Sequence, residues 1–263
     1  MFPAGLEPGG LLLLVLAAFC AGWIDAAVGG GGLVQLPALL LVPGIGPVQA
    51  LATNKLSSLA GTTASSLSYL RRTQPDLGTA LPMAAVALPS AAAGAALAAR
   101  LPTEVFKPVI LLALVAVAVV TIARPSLGRE TRLRFRGAPH LLLALLLGGA
   151  IGFYDGLLGP GTGTFLIIGL AGLLGYDFLL AGAKAKIVNL ATNLGALLFF
   201  APHGAVLWGL GAVMGAASVL GGLLGSRVAI AGGQRFLRIA LLVVVTALVL
   251  RLGADLWREA GGG

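Results

Sequence analysis

The chain has 263 residues, 58% of them apolar and only 10% charged, with a mean hydropathy of +1.02. Soluble domains run at roughly half apolar and a quarter charged, so an ordinary soluble domain and a disordered chain are both excluded, and the single cysteine, Cys20, excludes a disulfide scaffold. The 17 Lys+Arg against 9 Asp+Glu give +8; this charge lies mostly between apolar runs and forms no basic–aromatic patch, which points to a membrane and away from nucleic acid.

A spanning helix needs about 20 mostly apolar residues. In chain order the candidates are Leu11–Val28, Pro47–Leu70, Leu77–Ala99, Val105–Ala123, His140–Leu158, Phe178–Ala201, Gly204–Ser226 and Phe236–Ala254. The opening MFPAGLEPGG has no basic n-region, so the first run is expected to stay as a membrane helix. Two apolar pieces, Leu33–Val42 and Gly163–Gly175, are too short to span and follow glycine-rich breaks at Gly29–Gly32 and Gly159–Gly163. Pro82 and Pro89 are expected to kink the third span. The expected fold is all-α: a polytopic membrane protein of about eight transmembrane helices plus two glycine-broken half-helices.

The polar stretch Arg124–Pro139 carries five arginines against Glu130 and divides the chain into residues 1–123, a basic linker 124–139, and residues 140–263. The halves repeat each other. GWIDAAVGGGG from Gly22 matches GFYDGLLGPGT from Gly152, placing Asp25 on Asp155, Gly29 on Gly159 and Gly31 on Gly161. With one residue inserted, NKLSSLAGT from Asn54 falls on AKIVNLATN from Ala185, so Lys55 meets Lys186, Ser58 meets Asn189 and Thr62 meets Asn193. If the halves are inverted, Arg71, Arg72, the linker arginines, Arg227, Arg235 and Arg238 share one side, ten cations against four; parallel halves give nine against five. The positive-inside rule prefers the inverted arrangement, with a cytoplasmic linker and both termini outside. Repeats with interrupted helices at corresponding places point to a transporter site.

Lys55 and Lys186 lie about nine residues into their helices, too deep to reach the interface easily. An ionisable group at that depth is a functional candidate. Lys186, Asn189 and Asn193 are spaced i, i+3, i+7, within an arc of roughly 60° on one face, and Lys55, Ser58 and Thr62 share the spacing. The stripes read either as two walls of a polar cavity or as hydrogen-bonding glue between helices. Asp25 and Asp155 read either as counter-ions to the lysines or as proton carriers. Lys184, nearer its helix start, can snorkel. Helices restarting after the breaks would aim amide groups and positive dipole ends at a cavity, which makes Gly31, Gly32, Gly161 and Thr162 candidate anion contacts beside Asn54. GGGG lacks a GK[ST] ending, so a nucleotide loop is not supported. His140 and His203 sit at segment ends without metal-ligand spacing. No catalytic nucleophile or metal motif is present, so neither an enzyme nor a cofactor is expected.

GWIDAAVGGGGLVQLPALL with ATNKLSSLAGTTASSLSYLRR resembles the first half of the sulfite exporter TauE/SafE family, and GFYDGLLGPGTGTFLI with GYDFLLAGAKAKIVNLATNLGALLFF resembles its second half. The resemblance covers about residues 10 to 250. It implies a multi-pass carrier in a prokaryotic inner membrane for sulfite, organosulfonates or related organic acids. The run SSLAGTT after Asn54–Lys55 departs from the further polar residues often found there in the family, which leaves substrate selection open. The expected partners are a small anion and the lipid bilayer, and homo-oligomerisation is compatible with the chain. A coupled secondary transporter leads; an uncoupled anion channel and a non-transporting membrane assembly subunit remain as alternatives.

Overall fold

The computed structural model of the chain describes residues 7–100 and 130–261. The expected span Val105–Ala123, and with it Lys107, Arg124 and Arg129, lies outside the described residues, as do the side chains of Arg235, Arg238, Arg251 and Arg258. Among the described residues the structure is helical, with no strand.

Helix α1, Pro8–Val28, opens with proline at its first position and stops at Gly29, whose φ of 83° ends the helix while its N–H donates to Asp25 O at 2.8 Å. After the break α2, Gly32–Leu40, runs back along α1: a Cβ at Gly31 would lie 2.7 Å from Asp25 Cβ. Helix α3, Pro47–Thr73, carries Arg71 and Arg72 in its last turn, where they complement the helix dipole. Helix α4, Leu77–Ala98, is capped by Asp76 and contains Pro82 and Pro89 without interruption; the expected kinks leave the helix continuous. Helix α5, Ala138–Leu157, leads into the second break, and α6, Thr162–Gly169, continues as one wider π turn to Leu174 before Gly175, at φ 90°, stops it. Helix α7, Phe178–Phe200, is capped by Asp177, which accepts from the N–H groups of Leu179 and Leu180 at 2.9 Å each. The remaining helix, α8, spans Trp208–Gly261 with a break at Gly233 (φ 60°). The expected start at Gly204 is corrected to Trp208, because Ala201–Gly204 form a turn with Gly204 at φ 68°.

Among the described residues four helices, α1, α4, α5 and the first part of α8 to Gly233, are long and apolar enough to cross a membrane. Two apolar clusters at opposite ends of the bundle set helix direction. One joins Leu14 of α1, Leu39 of α2, Ala50 of α3, Ala98 of α4, Phe200 of α7 and Leu210 of α8. The other joins Val28 of α1, Tyr69 of α3, Ala80 of α4, Ala144 of α5, Leu174 after α6, Phe178 of α7 and Ala229 of α8. So α1 and α3 run from the first end to the second, while their sequence counterparts α5 and α7 run from the second to the first. The pair α4 and α8 is opposed in the same way. The repeats are inverted.

The halves are also interlocked. The first helix of each packs on the fourth of the other: α5 lies on α4 and α1 on α8. Glycine makes this possible. Gly148, Gly152 and Gly156 meet Met83, Ala87 and Ala91 in four-residue steps, with no room for a Cβ, and Gly22 meets Ser218 likewise on the other side. In a lipid environment such backbone approach supplies the dispersion contact that holds helices together. The third helices, α3 and α7, cross each other in the middle and carry the lysines.

Candidate functional site: a cross-paired charge cluster at the helix breaks

The two breaks meet. Thr164 donates its N–H to Gly29 O at 3.3 Å and its Oγ1 to Val28 O at 2.8 Å, so each half supplies a hydrogen bond the other half's interrupted backbone needs. A Cβ on Gly163 would lie 2.9 Å from Gly29 O; the approach requires glycine.

Around this junction the charges pair across the repeat. Lys55 of α3 holds Asp155 of α5, Nζ to Oδ2 at 2.7 Å, with the two side chains 1% and 2% exposed; the contact is an ion pair without hydrogen-bond alignment at Oδ2. Lys186 of α7 holds Asp25 of α1, Nζ to Oδ2 at 3.0 Å, and also donates to Asp25 O. Threonines add to both carboxylates: Thr162 Oγ1 donates to the other Asp155 oxygen, Oδ1, at 2.6 Å, and Thr62 Oγ1 donates at 3.4 Å to the same Asp25 Oδ2 that Lys186 holds. The cluster sums to zero charge, which is what makes four ionised groups tolerable in an apolar bundle.

Between the breaks lies a small polar cavity. Of the residues singled out from the sequence, Asp25, Gly32, Asn54, Lys55, Ser58, Asp155, Thr162, Asn189 and Asn193 line it. The starts of α2 and α6, Gly32 and Thr162, both lie on its wall, so two positive helix ends converge there. Asn54 Oδ1 is buried without a partner. Asn193 Nδ2 donates to Asn189 O at 2.8 Å, along the expected face of α7.

Four expected wall residues are placed elsewhere. The Lys186 stem carries its ammonium behind Asp25, because both the carboxylate and the carbonyl of that residue accept from it. Thr62 and Gly31 line a second, adjoining chamber. Gly161, at φ 82°, is the cap of α6, with its carbonyl accepting from Phe165 N–H. Gly29, Gly159 and Gly163 do line the cavity and were not among the expected contacts, although they belong to the breaks. At Gly159 a Cβ would stand 3.2 Å from Lys55 Nζ, so the glycine leaves room for the ammonium. Gln35, 1% exposed, was also missed; its only signal is a lone amide in an apolar half-helix.

Outside the cavity, Lys184 reaches the end of the bundle, where its Nζ donates to Asp76 O at 2.5 Å and meets Asp76 Oδ2 at 3.3 Å. The Asp76 carboxyl is held below the usual carboxylate range, first by the Gly78 N–H and then by Lys184. His140 Nε2 shares Thr79 and the Tyr176 hydroxyl, at 3.3 and 3.0 Å, while His203 is exposed. No group of three or more metal-ligating side chains exists among the described residues.

Inverted repeats, opposed helix breaks and a charge-balanced polar cavity between them are the architecture of a membrane transporter. Comparison with known proteins gives the family. The profile described as Sulfite exporter TauE/SafE matches residues 14–252. The chain is 42% identical over 245 residues to "Probable membrane transporter protein ORF9" of Sinorhizobium sp, covering 93% of each chain. It is 34% identical over 238 residues to "Probable membrane transporter protein YfcA" of Escherichia coli (strain K12), covering 90% of this chain and 87% of that one. It is 33% identical over 245 residues to "Probable membrane transporter protein" of Haemophilus influenzae, covering 93% and 95%. No solved structure matches. The chain belongs to the TauE/SafE family of membrane transporters.

Proposed function

We propose that the chain is a proton-coupled carrier of small oxyanions of the sulfite, organosulfonate or related organic-acid class, in a prokaryotic inner membrane with the linker in the cytoplasm. The observation that carries this is the pair of ion bridges, Lys55–Asp155 and Lys186–Asp25, each joining opposite halves beside two helix starts that open on one cavity. An empty site of zero charge holds an anion only weakly. When one carboxylate takes a proton, its lysine loses the counter-ion, and an anion can take that place. The loaded site, anion plus proton, then has the same charge as the empty one, and neither form pays a large electrostatic penalty in crossing. The helix starts and the amides of Asn54, Asn189 and Asn193 supply uncharged donors for the anion's oxygens.

The name of the family and the cluster of two carboxylates and two ammonium groups support this reading over a channel, in which paired charges across the path would block flow. Thermal stabilisation of the purified protein by sulfite, sulfate, thiosulfate, taurine, sulfoacetate and simple carboxylates tests it, since a ligand that binds only the native state raises stability. Stabilisation by one sulfur oxyanion, stronger at low pH and lost in the Asp25→Asn/Lys186→Gln double variant, is expected. Absence of any anion effect, or anion binding by that variant equal to the parent's, overturns the site. In vesicles, saturable counter-exchange supports a carrier; voltage-driven current without saturation supports the channel.

A further inference from the structure

The two ion bridges are equivalent by repeat, but their surroundings are not. Asp155 is 2% exposed and lines the central cavity. Asp25 is 16% exposed and lines a second, small chamber as well, between α1, α2, α3 and α8. Ser58, Thr62, Ser218 and Gln35 line that chamber beside Asp25. The Gln35 amide is 1% exposed and its Nε2 has no partner, so a buried donor there lacks an acceptor. A buried amide in this condition calls for water, and the chamber offers the two or more polar partners that an ordered water needs.

In the other half two of the chamber's polar residues have apolar counterparts, while Ser58 and Thr62 correspond to Asn189 and Asn193. Phe165 stands where Gln35 does and packs edge-on against Tyr154, ring centres 5.0 Å apart, and Ala87 stands where Ser218 does. Gly22 meets Ser218 just as Gly152 meets Ala87, which confirms the correspondence in space.

We propose that the second chamber is a hydrated proton-entry site, that Gln35 holds its water, and that Asp25 alone is the titrating carboxylate, Asp155 being a permanent counter-ion. The inference rests on the proton-coupled reading and assigns its proton. In the step, a hydronium in the chamber gives its proton to the Asp25 carboxylate; one O–H bond of the hydronium breaks, one forms on the carboxyl, and neutral water remains. Lys186 stays an ammonium and is freed from its partner. The charged and titratable groups around Asp25 are Lys186 on α7, Lys55 and Tyr69 on α3, and Asp155 across the cavity on α5; α2 and α8 contribute the neutral Gln35 and Ser218.

Infrared difference spectroscopy of the full chain in lipid nanodiscs, stepping pH with no anion substrate present, reads the carbonyl stretch of a protonated buried carboxyl. The band is expected in the parent and in Lys55→Gln/Asp155→Asn, and lost in Asp25→Asn/Lys186→Gln; the double variants remove charge in pairs, so neither leaves a lone buried ion. Gln35→Leu is expected to slow the band's appearance after a pH jump at least tenfold. Persistence of the band without Asp25, its loss without Asp155, or an unchanged rate in Gln35→Leu overturns the proposal. Suppression of the band by sodium chloride but not by choline chloride of equal strength also overturns it, in favour of a metal cation in the chamber. Because no anion is involved, failure here leaves the anion-stabilisation result standing, and the reverse.

Discussion

Lys55→Gln is the most informative single change. Lys55 and Asp155 are 1% and 2% exposed and 2.7 Å apart. At an effective dielectric of about 20 their attraction is roughly 6 kcal/mol, against a desolvation cost of several kcal/mol for each ion. The intact pair is therefore near balance, and its net contribution is small. Removing one partner is different, because the remaining charge keeps its desolvation cost and loses its compensation, a loss of about 3–5 kcal/mol. Lys55→Gln and Asp155→Asn should each destabilise by that amount, while the double variant should return to within about 1 kcal/mol of the parent. For a chain of this size 3 kcal/mol corresponds to a Tm lower by about 6–12 °C. Thermal unfolding in detergent of the four proteins gives the cycle directly. The Lys186–Asp25 cycle should show a smaller single-variant loss, because Asp25 is 16% exposed and water can compensate the orphaned charge. Additive losses, or single variants within about 1 kcal/mol of the parent, would refute the claim that these bridges are buried and mutually required.

Three further outcomes follow from the same fold. Gly163→Ala should prevent the breaks from meeting and abolish anion-dependent stabilisation, since its Cβ would lie 2.9 Å from Gly29 O, whereas Gly44→Ala, where a Cβ meets nothing within 4 Å, should cost only the strain of its φ of 84°; equal Tm values would contradict this. A reporter active only in the cytoplasm should work when inserted in the linker at residue 137 and fail at residue 263; activity at the C-terminus would reverse the sidedness. Asp76, whose carboxyl is held low by Gly78 N–H and Lys184, contributes stability above the ordinary carboxylate pKa that is lost as pH falls through its lowered value. Asp76→Asn should flatten the acid limb of a Tm-against-pH curve, and an unchanged slope would show that the cap and Lys184 do not depend on its charge.

Much of this protein is written along the chain. Apolar runs of about 20 residues, the matching GWIDAAVGGGG and GFYDGLLGPGT blocks, and the depth of Lys55 and Lys186 are local or periodic features, and each depends only on short-range chemistry and on the cost of charge in lipid. They sufficed for an all-helical membrane transporter with breaks at Gly29–Gly32 and Gly159–Gly163, and the distribution of arginines already favoured inverted halves. Partner choice was not legible. That Lys55 takes Asp155 while Lys186 takes Asp25, so that the bridges join opposite halves, follows from α1 packing on α8 and α5 on α4, a contact set by glycine faces more than 60 residues apart in sequence. The same packing draws Lys186 behind Asp25 and leaves Gln35 lining a chamber, whereas its counterpart Phe165 packs against Tyr154. Sequence spacing fixes which face of a helix a side chain occupies; only the tertiary fold decides which other face it meets, because that depends on how closely two backbones can approach.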